Sequence, residues 1–404
     1  MSDVTVEFER GEQLAPRRVS RRPSDGAISV LDDAAPRPVA LAQRRADLAT
    51  LRIVLCGCII LLHAGAIFST DPLYHLKSEL MSPAVTVLVE LLRVTSVPLF
   101  FVIAGWSAVA SLRARSAGAF MRERVRRLVV PLVAGSAVLG SIIKYVELSH
   151  GRDFGLQGFR LTRPLQSGFF DFFPRNLMHM NELTWSHLWF LAYLFLISLV
   201  LLPLLVRLAR AVPRTDMPAA PLVYLPALAI AGFLMAFDGY WPYLPNLVTD
   251  WTNFSYFALC FAAGAAMAAW PGFESRLRME TPGMLALLLV GAIGVALCGP
   301  STAGRFFVGL AAWGAIGTGL GVAGRFKPPA VFAYLGEASM PVFIMHEVPV
   351  LLIGLAVIPL ALPAGLSVPL VFVSATLVTL AAYHWLIRPW SLMRRLMGMD
   401  AGGA

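Results

Sequence analysis

The sequence predicts an all-α polytopic membrane protein of about ten transmembrane helices, with both termini in the cytoplasm. Three observations carry that prediction. Of the 404 residues 57% are hydrophobic and only 14% charged, with a mean hydropathy of +0.70. Repeated apolar windows of about 20 residues match the length that crosses a bilayer as a helix. The third is where the cations fall. With the N-terminus inside, 25 of the 33 lysines and arginines lie on cytoplasmic segments, and the eight others are Lys77, Arg93, Lys144, Arg152, Arg160, Arg163, Arg175 and Arg305. An excess of that kind orients spans. The net charge of +9 therefore reads as topogenic rather than as a nucleic-acid surface.

Residues 1–46 are rich in Arg, Pro, Ala, Ser and Asp without apolar periodicity and read as a disordered cytoplasmic tail. Arg17-Arg18 and Arg21-Arg22 resemble a twin-arginine export signal, but the first apolar stretch starts some 25 residues later with no small-residue cleavage site, so no cleaved signal peptide is expected. The membrane domain spans 47–392 and a short cytoplasmic tail 393–404. The first span is LRIVLCGCIILLHAGAIFST, 51–70. Further spans are expected near 83–110, 128–147, 187–206, 220–238, 252–270, 283–299, 303–321, 332–359 and 366–386. Residues 148–186 form the longest external segment, a candidate lid or acceptor surface rich in Phe169, Phe170, Phe172 and Phe173. The four cysteines, Cys56, Cys58, Cys260 and Cys298, fall in apolar spans without metal-type spacing and read as packing residues; no metal is expected.

Chemistry concentrates on few residues. Arg52 and His63 are eleven apart, which on a helix brings them within about 20° of one stripe and about 16 Å apart along the axis. Ionisable groups at such depth face the bundle interior and are functional by default. A neutral imidazole suits His63 to activate a hydroxyl; packing glue across a helix interface is the plainer alternative. Glu90 and Arg93, one turn apart in the second span, either neutralise each other or act, Glu90 by orienting His63 and Arg93 by facing developing negative charge. Arg124 and Arg127 share a face of FMRERVRRLVVP, 120–131, as a topogenic cluster or a phosphate clamp. His187 lies between Trp185 and Trp189, where an interfacial aromatic belt competes with a substrate-binding role for His187 and Trp189. His346-Glu347 form a second intramembrane pair, in an overlong segment whose Pro341 and Pro349 imply a kink or a short interfacial preamble. His75, His150, His179 and His384 sit in loops or at ends and carry no signal.

The spacing of these residues resembles the membrane-bound acyltransferase family 3. Arginine, ten residues, then histidine in the first span is that family's signature, met by Arg52 and His63. SVPLFFVIAGW at 96–106, Arg124 and Arg127 before Leu128 and Pro131, HLWFL at 187–191, and SMPVFIMHEVPV at 339–350 are similar to its further motifs, in the family's order. The family's Glu-Arg/Lys-Pro near the C-terminus is Ile387-Arg388-Pro389 here, without the glutamate. With no appended hydrolase-like domain the chain is similar to the family's stand-alone branch, in which periplasmic glucans are succinylated.

The resemblance implies a multi-pass protein of the bacterial inner membrane that moves an acetyl or succinyl group from cytoplasmic acyl-CoA to a hydroxyl of an extracytoplasmic glycan or glycolipid. Acyl-CoA is then a donor substrate, not a bound cofactor, held by Arg52, Arg124 and Arg127. His63 serves as general base or acyl relay, Glu90 and His346 complete the catalytic group, and Arg93, His187 and Trp189 meet the acceptor. Partners beyond the donor, the acceptor and the bilayer are not implied. The rival class is a transporter or flippase in which the same charges line a proton or substrate pathway.

Overall fold

The computed structural model describes residues 46–155, 158–179, 184–240, 246–247 and 249–400. The tail expected over 1–46, apart from Ala46, lies outside them, as do Glu182 and the last four residues of the C-terminal tail. In chain order the described helices are α1 (Ala46–Ala66), α2 (Pro83–Ala114) and α3 (Ala117–Ser149), followed by a hairpin of β1 (Arg152–Gly155) and β2 (Gly158–Leu161). Then come α4 (Phe169–Met178), α5 (Ser186–Val200), α6 (Leu202–Arg210), α7 (Ala220–Ala236), α8 (Trp251–Ala269) and α9 (Pro271–Met279). The chain closes with α10 (Thr281–Cys298), α11 (Thr302–Ala323), α12 (Val331–Met345), α13 (Glu347–Leu360), α14 (Ala364–Ile387) and α15 (Ser391–Leu396).

Seven of these are long and apolar enough to cross a membrane: α1, α2, α3, α8, α10, α11 and α14. Counting α5 with α6 and α12 with α13 as broken spans gives nine, and α7 is a shorter apolar helix. Each of the ten expected spans thus meets a helix or a bent pair. The bends are 63° between α5 and α6 and 64° between α12 and α13. Proline chemistry accounts for both: Pro203 and Pro349 cannot donate to the carbonyls of Leu199 and Met345, four residues back, and their rings crowd those carbonyls. The kink expected in 332–359 therefore falls at His346, immediately before Glu347.

α11 is the most buried of the seven spans, and α10 and α14 the least. On α10 the exposed stripe Leu285, Leu289, Ile293 and Leu297 repeats every four residues, the pattern of a helix facing acyl chains. α2 and α8 approach by backbone rather than side chain. A Cβ at Gly105 would lie 1.8 Å from the Phe261 carbonyl oxygen, and one at Gly264 would lie 1.9 Å from that of Val102. Small residues supply such close helix packing where lipid offers no hydrophobic drive. In α3 the α-helix gives way twice to π-helical turns, Val125–Val129 and Ser136–Gly140, the first of which follows Arg124 and contains Arg127. Among the described residues of the segment 148–186, β1 pairs antiparallel with β2, and α4 follows.

Candidate active site

α1 runs unbroken through both Arg52 and His63, so the helical stripe and rise expected from their spacing hold within one helix. At the His63 end, α1, the loop after it, α3, α5 and the α12–α13 kink converge. His63 Nδ1 lies 3.5 Å from Glu347 Oε1. The fully buried Glu347 also meets His187, Nδ1 to Oε2 at 2.5 Å, and His75, Nε2 to Oε1 at 3.1 Å. The imidazoles of His63 and His346 are 5.2 Å apart between ring centres, and those of His187 and His346 4.7 Å. One carboxylate therefore stands among four histidines drawn from α1, a loop, α5 and the kink.

Backbone contacts orient the two deepest rings. His346 Nδ1 donates to the Phe343 carbonyl at 2.8 Å, a carbonyl left over at the end of α12, and its Nε2 is buried with no hydrogen-bond partner among the described residues. His187 Nε2 donates to the Ile344 carbonyl at 2.9 Å. His63, by contrast, lines a cavity of about 1480 Å³. Its walls include His187 and Trp189 from α5, Glu90 and Arg93 from α2, and Asp153 from the hairpin. Phe343, whose ring is 5.7 Å from that of His187, joins Phe100 and Phe190 in an aromatic part of the wall, while Trp189 stacks on Phe257 at 5.5 Å.

Two expectations are redrawn by this geometry. The carboxylate in ion-pair range of His63 is Glu347, not Glu90; Glu90 pairs with Arg93 at 2.6 Å on the cavity wall, the mutual neutralisation that their one-turn spacing allowed. And His75, read as carrying no signal, touches Glu347 directly. Only its pairing betrays it, since a histidine in a polar loop has no periodicity to mark it. His346 and His187 both stand in the cluster, and Trp189 lines the same cavity.

At the opposite, arginine-rich end, Arg52, Arg124 and Arg127 are near enough to repel one another electrostatically. Arg127 is held by Glu123 and, at 2.9 Å, by Asp400, while Arg126 meets Asp400 at 2.5 Å. Arg52 and Arg124 have no carboxylate partner among the described residues; Arg124 lies over the Phe120 ring at 4.8 Å. Guanidinium groups not engaged by a carboxylate keep their donor forks for an anion. Arg388 pairs with Glu337 of α12 at 3.7 Å, and Arg394 meets the same carboxylate at 2.9 Å. The cysteines are all free, and among the described residues no group of His, Cys, Asp and Glu is arranged to hold a metal.

Compared with known proteins, the chain matches the acyltransferase domain model of family 3 over residues 45–386. No curated protein and no solved structure matches it. The matched region covers α1 to nearly the end of α14 and so includes both the histidine cluster and the arginine-rich end. The chain belongs to the acyltransferase family 3.

Proposed function

We propose that this membrane acyltransferase transfers an acetyl or succinyl group from cytoplasmic acyl-CoA to a hydroxyl of an extracytoplasmic glycan or glycolipid, in a bacterial inner membrane. The observation that carries the reading is His63. It lines the large cavity, its Nδ1 faces the buried Glu347, and Arg52 lies eleven residues away on the same helix. Donor phosphates bind Arg52, Arg124 and Arg127, and the thin pantetheine arm runs along α1 to bring the thioester beside His63. With Nδ1–H directed at the Glu347 carboxylate, Nε2 keeps the lone pair that takes the acceptor's proton. The alkoxide attacks the thioester carbonyl, an acyl–oxygen bond forms as the acyl–sulfur bond breaks, and the imidazolium returns the proton to the CoA thiolate. Glu347 holds the ring in that tautomer and stabilises its transient charge, as the carboxylate of a Ser-His-Asp triad does. Arg93, His187 and Trp189, which line the same cavity, meet the acceptor in this reading.

The test is acyl transfer from labelled acyl-CoA by the purified protein, with surface glycans of wild-type and deletion cells compared by mass spectrometry for a lost acyl substituent. Full turnover by His63→Ala would overturn the catalytic assignment, and trapping of an acyl-histidine would replace the general base with a relay. Movement of a lipid or sugar across the membrane without acyl turnover would put a flippase in place of the transferase.

A further inference from the structure

His75 lies in the loop between α1 and α2, and the mechanism above makes no use of it. Its ring bridges two buried carboxylates. Nδ1 contacts Glu147 Oε1 at the end of α3, while Nε2 is 3.1 Å from Glu347 Oε1 and 2.8 Å from Ser186 Oγ. Ser186 in turn donates to Glu347 Oε2 at 2.9 Å. With the Ser186 proton given to Glu347, both ring nitrogens face acceptors, and two ionised carboxylates are met by the imidazolium, which carries a proton on each nitrogen, rather than by the neutral ring with its single N–H. Burial by itself would lower the His75 pKa, but Glu347 and Glu147 outweigh it and raise it to about 10. Ser186 is held with φ at 41°, in the left-handed region that L side chains adopt at a cost. Its neighbours keep it there, and its hydroxyl completes the bridge.

The far side of the bridge is equally fixed. Glu147 accepts from Lys144 at 3.1 Å and from the Phe154 N–H at 3.3 Å, and Lys144 also pairs with Asp153. Arg152 of the same strand donates to the Tyr74 carbonyl at 2.7 Å, and the Phe154 ring packs on His75 at 5.3 Å. The hairpin thus grips the His75 loop, while its Asp153, Phe154 and Arg160 line the cavity that holds His63.

We propose that His75 is a positioning residue: it fixes the Glu347 carboxylate against His63 and ties it, through Glu147 and Lys144, to the hairpin that lines the acceptor's side of the cavity. The proposal rests on the acyltransferase reading for its kinetic consequence but not for its charge state.

Two measurements test it. In the purified protein labelled with ¹⁵N-histidine, a resonance absent from His75→Gln reports the His75 ring at pH 8. Imidazolium shifts are expected, and a neutral ring would overturn the proposal whatever the enzyme does. In the acyl-transfer assay His75→Gln, with an unfolding midpoint near wild type, is expected to lose about tenfold or more in kcat with donor KM within about threefold. His75→Lys, which keeps a cation, is expected to recover part of that loss. The double variant with Glu347→Gln should be little worse than Glu347→Gln alone, because one residue acts through the other. A folded His75→Gln with wild-type kcat, or losses that multiply in the double variant, would overturn the proposal. Absence of acyl transfer in the wild type would sink the underlying reading instead, and the resonance would still decide the state of His75.

Discussion

Glu347→Gln removes one charge and almost no volume, so its effect can be worked from a single distance. His63 Nδ1 and Glu347 Oε1 are 3.5 Å apart. At an effective dielectric of about 20, unit charges at that separation attract by about 5 kcal/mol, the limit for a fully formed imidazolium. With half the charge developed at the transition state the loss is about 2.4 kcal/mol, or about 50-fold in rate; the full charge would give on the order of 3000-fold. The expected result is thus a kcat lowered by between about 50-fold and about 3000-fold, with donor KM within about threefold, because the interaction strengthens only as the proton moves. Glu347→Asp keeps the charge but withdraws it by a methylene, and its kcat should fall between those of wild type and Glu347→Gln. The assay is initial-rate transfer from labelled acyl-CoA by purified protein, with thermal unfolding in detergent as the control for folding. A folded Glu347→Gln enzyme whose kcat stays within about threefold of wild type would refute the role given to this carboxylate.

Other outcomes follow from the same geometry. Arg52→Ala and Arg124→Ala each remove an unpaired guanidinium from the proposed donor site and should raise donor KM about tenfold or more while largely sparing kcat, as measured by substrate titration. Asp400→Asn frees Arg126 and Arg127 from an exposed carboxylate that competes with an anionic donor; donor KM should fall, by up to about fivefold given the usual worth of exposed pairs. Gly105→Ala places a methyl group against the Phe261 carbonyl and should cost on the order of 1–3 kcal/mol in stability, read as a lower unfolding midpoint. His75, with its pKa raised from 6.5 to about 10, stabilises the fold fully below about pH 6.5 and progressively less as pH rises through 10. The difference in unfolding midpoint between wild type and His75→Gln should be widest near pH 6 and close above pH 10.

The sequence by itself determined the class of fold, the ten apolar segments and the placing of Arg52 and His63 on one stripe of α1, because hydropathy and helical periodicity are properties of consecutive residues. A stripe shared by Arg52 and His63 needs nothing but 3.6 residues per turn. Pro349 likewise announced a break before the tertiary structure located it at His346. Only the tertiary structure decided what stands beside His63. Glu90 and Glu347 are both carboxylates in apolar segments, and spacing along the chain ties Glu90 to Arg93 but is silent on what a residue 284 positions away will touch. The kink after Met345 turns Glu347 into the cluster, and the hairpin's grip on the loop between α1 and α2 brings His75 to it. Those contacts come from how helices and loops pack across the bundle, and no period in the sequence records them.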